Sequence, residues 1–154
     1  MQTKRKRVLV FRLLAPVVAA LLLASCSSSR ITLADMLGSW SFRNSVGSDS
    51  SAFIAPEWVI LFNADNTYVI PQLSNMAMPD YDCQGDRFRM ILHYPVYGTH
   101  LVQRFLWEGS VRGDDELAGR IYRTSLPQSG DARDAFSYPK DLEIGSFTAR
   151  KLSD

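Results

Sequence analysis

From residue 57 onward, apolar and polar residues alternate in short runs with the two-residue period of β-strands. Residues 57–63 are rich in strand formers, Ala64-Asp65-Asn66 makes a turn, and residues 67–70 form the second arm of a hairpin. Residues 87–94 place Phe88, Met90, Leu92 and Tyr94 on one face and Arg87, Arg89, Ile91 and His93 on the other. Residues 101–112 repeat the pattern, with Leu101, Phe105, Trp107 and Val111 inside and Arg104, Glu108 and Arg112 outside. Gly113-Asp114-Asp115 turns the chain, residues 116–124 return, and residues 143–152 close the series. Residues 71–82 and 125–141, which carry prolines and polar residues, are predicted to be loops. Before the first strand, Thr32 is placed to cap one helical turn with Asp35 three residues on, and Gly38 ends it. About seven short strands joined as neighbours, with no second long helix, predict an all-β fold: a small antiparallel up-and-down barrel or a sandwich.

The inward positions are bulky and include Trp40, Phe42, Trp58, Phe62, Phe88 and Trp107. An eight-stranded interior is only wide enough for side chains or one small ligand, so the same residues line a pocket or fill it; a filled barrel is favoured. Trp40, Trp58 and Trp107, with Gln103 as the polar inward position, are the candidate ligand-binding residues. Gln103 either orients a ligand or bonds a backbone group.

The amino terminus follows different rules. Lys4, Arg5, Lys6, Arg7 and Arg12 precede an apolar stretch, residues 13–24, that is shorter than the roughly 20 residues of a membrane-spanning helix and fits a signal peptide. Leu23-Ala24-Ser25-Cys26 then resembles the lipobox of bacterial lipoproteins. The resemblance implies diacylglycerol on the Cys26 sulfur, cleavage before it and acylation of the new amino terminus. Two or more chains make a stable anchor, whereas one is marginal. Ser27 resembles the pattern sorted to the outer membrane, which places the domain in the periplasm of a Gram-negative host. The expected organisation is a signal peptide over 1–25, lipidated Cys26 and a tether over 26–31, and one domain over 32–154.

Cleavage changes the charge. Five of the 17 Lys and Arg lie in the leader, leaving 12 against 16 Asp and Glu, so the mature domain is mildly acidic. That balance argues against nucleic acid as a partner. Once Cys26 is lipidated, Cys83 is the remaining thiol and has no intramolecular disulfide partner. It reads as an inert small hydrophobe, with a reactive thiol or an intermolecular link as the alternatives.

Four segments in order resemble the lipocalin-like (calycin) barrels: Leu37-Gly38-Ser39-Trp40, "LFNADNTYVI", "WEGSVRGDDELAGRIY" and "IGSFTARKL". The resemblance implies that Gly38 permits close approach at the barrel base, that Trp40 plugs it, and that Arg150 packs on Trp40 from the last strand. By simple alternation Arg150 falls opposite Phe147 and Ala149, so that match requires a bulge.

The sequence offers little chemistry. His93 and His100 lack the closely spaced ligands of a metal site, and no nucleophile elbow or phosphate loop occurs. Asp114-Asp115-Glu116 and Arg112-Gly113-Asp114 are accounted for by a solvated hairpin turn. No enzyme, metal or cofactor is expected. The expected function is non-enzymatic binding of a small apolar ligand or an envelope protein by an anchored barrel. The alternative is a periplasmic inhibitor or structural lipoprotein, because residues 81–88 locally resemble a stretch of C-type lysozyme inhibitors around Tyr81, Cys83, Gly85 and Phe88.

Overall fold

The chain enters its barrel through one helical turn, α1 (Leu33–Met36), in a computed structural model that describes residues 30–50, 53–78, 81–96, 98–113, 115–128 and 134–153. The capping box predicted for Thr32 and Asp35 is present: Asp35 N donates to Thr32 Oγ1 (3.4 Å), and Thr32 N donates to Asp35 Oδ2 (2.8 Å). Gly38 follows with φ of 104°, where a side chain would be strained, and the chain turns directly into the first strand.

Nine strands follow: β1 (Gly38–Val46), β2 (Glu57–Phe62), β3 (Tyr68–Ile70), β4 (Ser74–Met78), β5 (Tyr81–Gln84), β6 (Arg87–Pro95), β7 (Val102–Gly113), β8 (Glu116–Arg123) and β9 (Leu142–Lys151). They form one sheet in the order β4-β3-β2-β1-β9-β8-β7-β6-β5, with every pair antiparallel. The first and last strands pair, which curls the meander into an up-and-down barrel. β4 and β5 are the two ends of the sheet, yet they run in the same direction and only two residues separate them. Counted as one interrupted strand they complete a ring of eight. Side chains span the interruption: Tyr68 of β3 donates its hydroxyl to the Ile91 carbonyl of β6, and Tyr81 of β5 donates to the Asn63 carbonyl after β2 (2.7 Å).

Residues 71–82, predicted as a loop, thus carry β4 and the start of β5. β4 itself contains no proline, so the proline signal did not bear on its ladder. Leu101, predicted to point inward, is 66% exposed because β7 begins one residue later.

Two glycines of the resembling segments set the wall. Gly109 and Gly119 are cross-strand partners, and a Cβ on Gly119 would lie 2.0 Å from the Glu108 carbonyl oxygen. A Cβ on Gly109 would lie 2.8 Å from the Phe147 ring, so this glycine makes room for that ring in the interior.

The wall of β6 and β7 is buried on both faces. Inward-facing residues join the main core. Outside, residues 134–141, including a 3-10 turn at Ala135–Ser137, pack over Ile91, Leu106 and Tyr122 and form a second small core with Ala135 and Tyr138. Alternation predicts the outward face of β6 correctly, but this strap covers it. We call the end carrying α1 and the carboxyl end of β9 the base, and the opposite end, with residues 47–50, 53–56, 71–73, 98–101 and 124–128, the mouth.

Candidate functional site

The three tryptophans proposed from the sequence are buried, and their rings belong to a packed interior. Trp58 of β2 and Trp107 of β7 lie 5.6 Å apart between ring centroids. Phe62 of β2 meets Phe88 of β6 at 5.7 Å, and Phe42 of β1 meets Phe88 at 6.4 Å. Walls far apart in the strand order therefore touch through aromatic side chains, as expected of a small barrel filled by its own residues. The indole of Trp107 donates to Asn44 Oδ1 (3.1 Å), while the indole N–H of Trp58 is buried without an acceptor.

At the base, Trp40 Nε1 donates to the Met36 carbonyl (2.9 Å), which fastens α1 across the barrel end. Arg150 does not pack there. It points outward, its side chain is 74% exposed, and it pairs with Glu116. The bulge in β9 lies near residues 143–145, too far from Arg150 to turn it inward. Lys151 takes the inward register opposite Trp40, and its Nζ donates to the Asp35 carbonyl of α1 (2.9 Å). The cation that ties the last strand to the base is therefore Lys151. Alternation from Phe147 and Ala149 points to it directly.

The mouth gathers polar groups on three adjacent strands. Tyr94 of β6 and Gln103 of β7 are register partners. Arg123 of β8 is the register partner of Phe105 and so shares the inner face with it and with Ile121. Phe53 reaches over this end, with its ring 5.4 Å from Tyr94 and 5.8 Å from Phe105. Arg123 Nε is buried without an acceptor. Among the described residues none of the Tyr94, Gln103 and Arg123 side chains makes a hydrogen bond or ion pair. Gln103 was legible in the sequence. Arg123 was missed, although the parity of Leu117 and Ile121 places it inward.

The outer wall holds an ion cluster. Glu108 accepts from Arg87, from Arg89 (3.0 Å) and from Lys140 (2.7 Å), and Arg89 also donates to the carbonyls of Phe136 (3.0 Å) and Tyr138 (3.2 Å). The Arg89 guanidinium lies over the Phe136 ring at 4.9 Å. Burial acts to raise the Glu108 pKa, but hydrogen bonds from Lys140 and Arg87 and the charge of Arg89 together hold it below the usual glutamate value. This cluster clips the strap to the barrel. His93, expected at the surface, is half-buried against Tyr138, with its Nε2 3.3 Å from the tyrosine hydroxyl. Burial, then the charge of Arg104, pushes its pKa down.

Further round the wall, a shallow depression of about 580 Å³ has a floor of Ser41, Ala118 and Thr148 and a rim of Arg43, Arg112 and Arg150. Glu57 and Glu116 pair with two of those arginines.

Cys83 packs against the main core, and burial, then the neighbouring Asp82 carboxylate, pushes its thiol up to about 12, which makes it a poor nucleophile. Tyr81 and Phe88 are core residues, and Gly85 holds φ of 68° in the β5–β6 turn. Packing and turn geometry thus account for the stretch that resembles lysozyme inhibitors. The signal peptide, Cys26, residues 27–29 of the tether and Asp114 lie outside the described residues. Comparison with known proteins gives no match to a family model, to a curated protein or to a solved structure.

Proposed function

We propose that the protein is a lipid-anchored barrel of the bacterial cell envelope, held by acylated Cys26, that has no catalytic activity and recognises its partner at the mouth and outer wall. Such a partner is either a small molecule or an envelope protein, and in a Gram-negative host the barrel stands in the periplasm at the outer membrane. The observation that carries the binding mode is the contact of Trp58 with Trp107 through the interior, which leaves little room for a ligand taken up whole. Exposure supports the same end. Of the seven large hydrophobics exposed among the described residues, Leu73, Leu101, Val102, Leu126 and Leu142 all lie at the mouth. The lipobox at 23–26 supports the anchor, and only a few residues separate Cys26 from α1. The domain is thereby held by its base, with the mouth turned away from the membrane.

The test is metabolic labelling with a clickable palmitate analogue, followed by fractionation and native mass spectrometry of the detergent-extracted protein. Label on the wild type, absent from C26A, is expected with the protein in the membrane fraction. Label on C26A, or a soluble wild type, overturns the anchor. A lipid co-purifying at one per protein and quenching Trp58 and Trp107 overturns recognition at the mouth.

A further inference from the structure

The mouth contains a positive charge, Arg123, that no carboxylate neutralises among the described residues. Arg123 stands on the inner face of β8, partly buried, with its Nε shielded from water and unpaired. Arg104 shares the unpaired Nε but lies on the outer face of β7, whereas Arg43, Arg87, Arg89, Arg120 and Arg150 each have a carboxylate partner; Arg123 alone of these stands on the inner face. An N–H removed from water without an acceptor is destabilising, and a ligand that supplies the acceptor recovers that loss. Beside it stand two further polar tips free of partners among the described residues, the Gln103 amide and the Tyr94 hydroxyl. Directly opposed strand residues have Cβ atoms about 5 Å apart and diagonal ones about 7 Å, so these neighbouring side chains are close enough to reach one small group. Phe53 and Phe105 supply an apolar wall next to it.

We infer that the mouth is a binding site for a small carboxylate with an apolar or aromatic body. The guanidinium fork matches a carboxylate in shape and cancels its single charge through two parallel hydrogen bonds. Tyr94 and Gln103 donate to the remaining lone pairs. The apolar body lies against Phe53 at the rim, because the aromatic interior leaves no channel for a long tail. A neutral amide offers a single carbonyl acceptor and no charge to cancel that of Arg123, so it binds far more weakly. This deepens the proposed function and rests on its recognition at the mouth, not on the anchor.

The test uses full-length protein in zwitterionic detergent micelles, labelled with ¹⁵N-arginine, and follows the guanidinium Nε–Hε signals while 3-phenylpropionate or its neutral amide is added. The Arg123 signal is the one that R123K removes. Saturable movement of that signal with the carboxylate, and far less with the amide, is expected. Tyrosine fluorescence then reads binding in the variants. R123L weakens it roughly tenfold to a hundredfold, the range of one lost charge-assisted pair, R123K recovers part, and Q103L costs several-fold. An Arg123 signal that does not move up to 10 mM, on the order of the weakest specific affinities, overturns the site. So does equal movement with the amide, or unchanged affinity in folded R123L. If R123L does not fold, unchanged affinity in both R123K and Q103L overturns it equally. Palmitate labelling and membrane fractionation report on the anchor separately, so failure of the carboxylate site leaves that result standing.

Discussion

The indole of Trp107 on β7 donates to Asn44 Oδ1 on β1 at 3.1 Å, and the same asparagine donates through Nδ2 to the Ala55 carbonyl at 3.0 Å. One amide thereby joins the far wall of the barrel, the first strand and the loop that covers the mouth. Trp58 lies against Trp107 but has no acceptor for its own N–H. Replacing either tryptophan by phenylalanine removes the same volume, and only Trp107 loses a hydrogen bond and leaves Asn44 Oδ1 without its donor. Trp107→Phe is expected to cost about 1–3 kcal/mol more than Trp58→Phe. Urea denaturation of the two variants at one pH checks the difference, and equal losses would show that the Asn44 bond contributes nothing.

Gly119 faces Gly109 across the β7–β8 ladder, where a Cβ would lie 2.0 Å from the Glu108 carbonyl oxygen and 2.5 Å from the Gly109 Cα. The obstructing atoms are backbone, so no side-chain rotation relieves the overlap and the two strands must separate. Gly119→Ala is expected to cost on the order of 2 kcal/mol or more. Gly47→Ala, where nothing lies within 4 Å of the added carbon, serves as the control and should change stability far less. Thermal melts of both variants read the contrast.

Where the pattern could be read by alternation alone, it gave the structure. The inward residues of β6 and of β7 after Gln103, and the outward position of Arg150, follow from a period of two. The errors lie where a residue's surroundings come from distant parts of the chain. Arg89 and His93 point outward as their parity requires, yet residues 134–141 cover them, and nothing local to β6 announces that strap. β4 was hidden by the prolines that flank it. The mouth was half legible: Gln103 stood out as a polar residue among aromatic ones, whereas Arg123 was not singled out. Its parity with Leu117 and Ile121 marks it as inward, and the pairing of β8 with β7 puts it beside Phe105.

Glu108 should control how the fold tolerates acid. Its carboxylate is 13% exposed and sits among Arg87, Arg89 and Lys140, so its folded pKa lies below the unfolded value near 4.5. A lowered carboxylate pKa stabilises the fold above the unfolded value, and that contribution is lost as pH falls through the folded value. Stability should therefore decline below about pH 4.5, and Glu108→Gln should flatten that decline. At neutral pH the same variant leaves Arg89 charged beneath the strap without its counter-ion, at a cost of roughly 2–3 kcal/mol. Urea midpoints from pH 3 to pH 7 measure both effects. A variant with wild-type stability at pH 7 and an unchanged acid limb would remove Glu108 from this role.

His93 acts in a different pH window. It is packed beneath Tyr138 of the strap and faces Arg104 across the β6–β7 ladder, and both burial and that positive charge favour its neutral ring. Its folded pKa is therefore below the unfolded value of 6.5, and the unfolded chain binds the proton first as pH falls. The stabilisation is complete above pH 6.5 and is lost on acidification through the folded value. The strap is the element in contact with the ring, so its amides should lose hydrogen-exchange protection over this interval while the inward-facing strands keep theirs. His93→Phe, which cannot take up the proton, should make strap protection independent of pH between 7 and 5. If the wild-type strap exchanges equally at both pH values, or the variant keeps the wild-type dependence, another group is responsible.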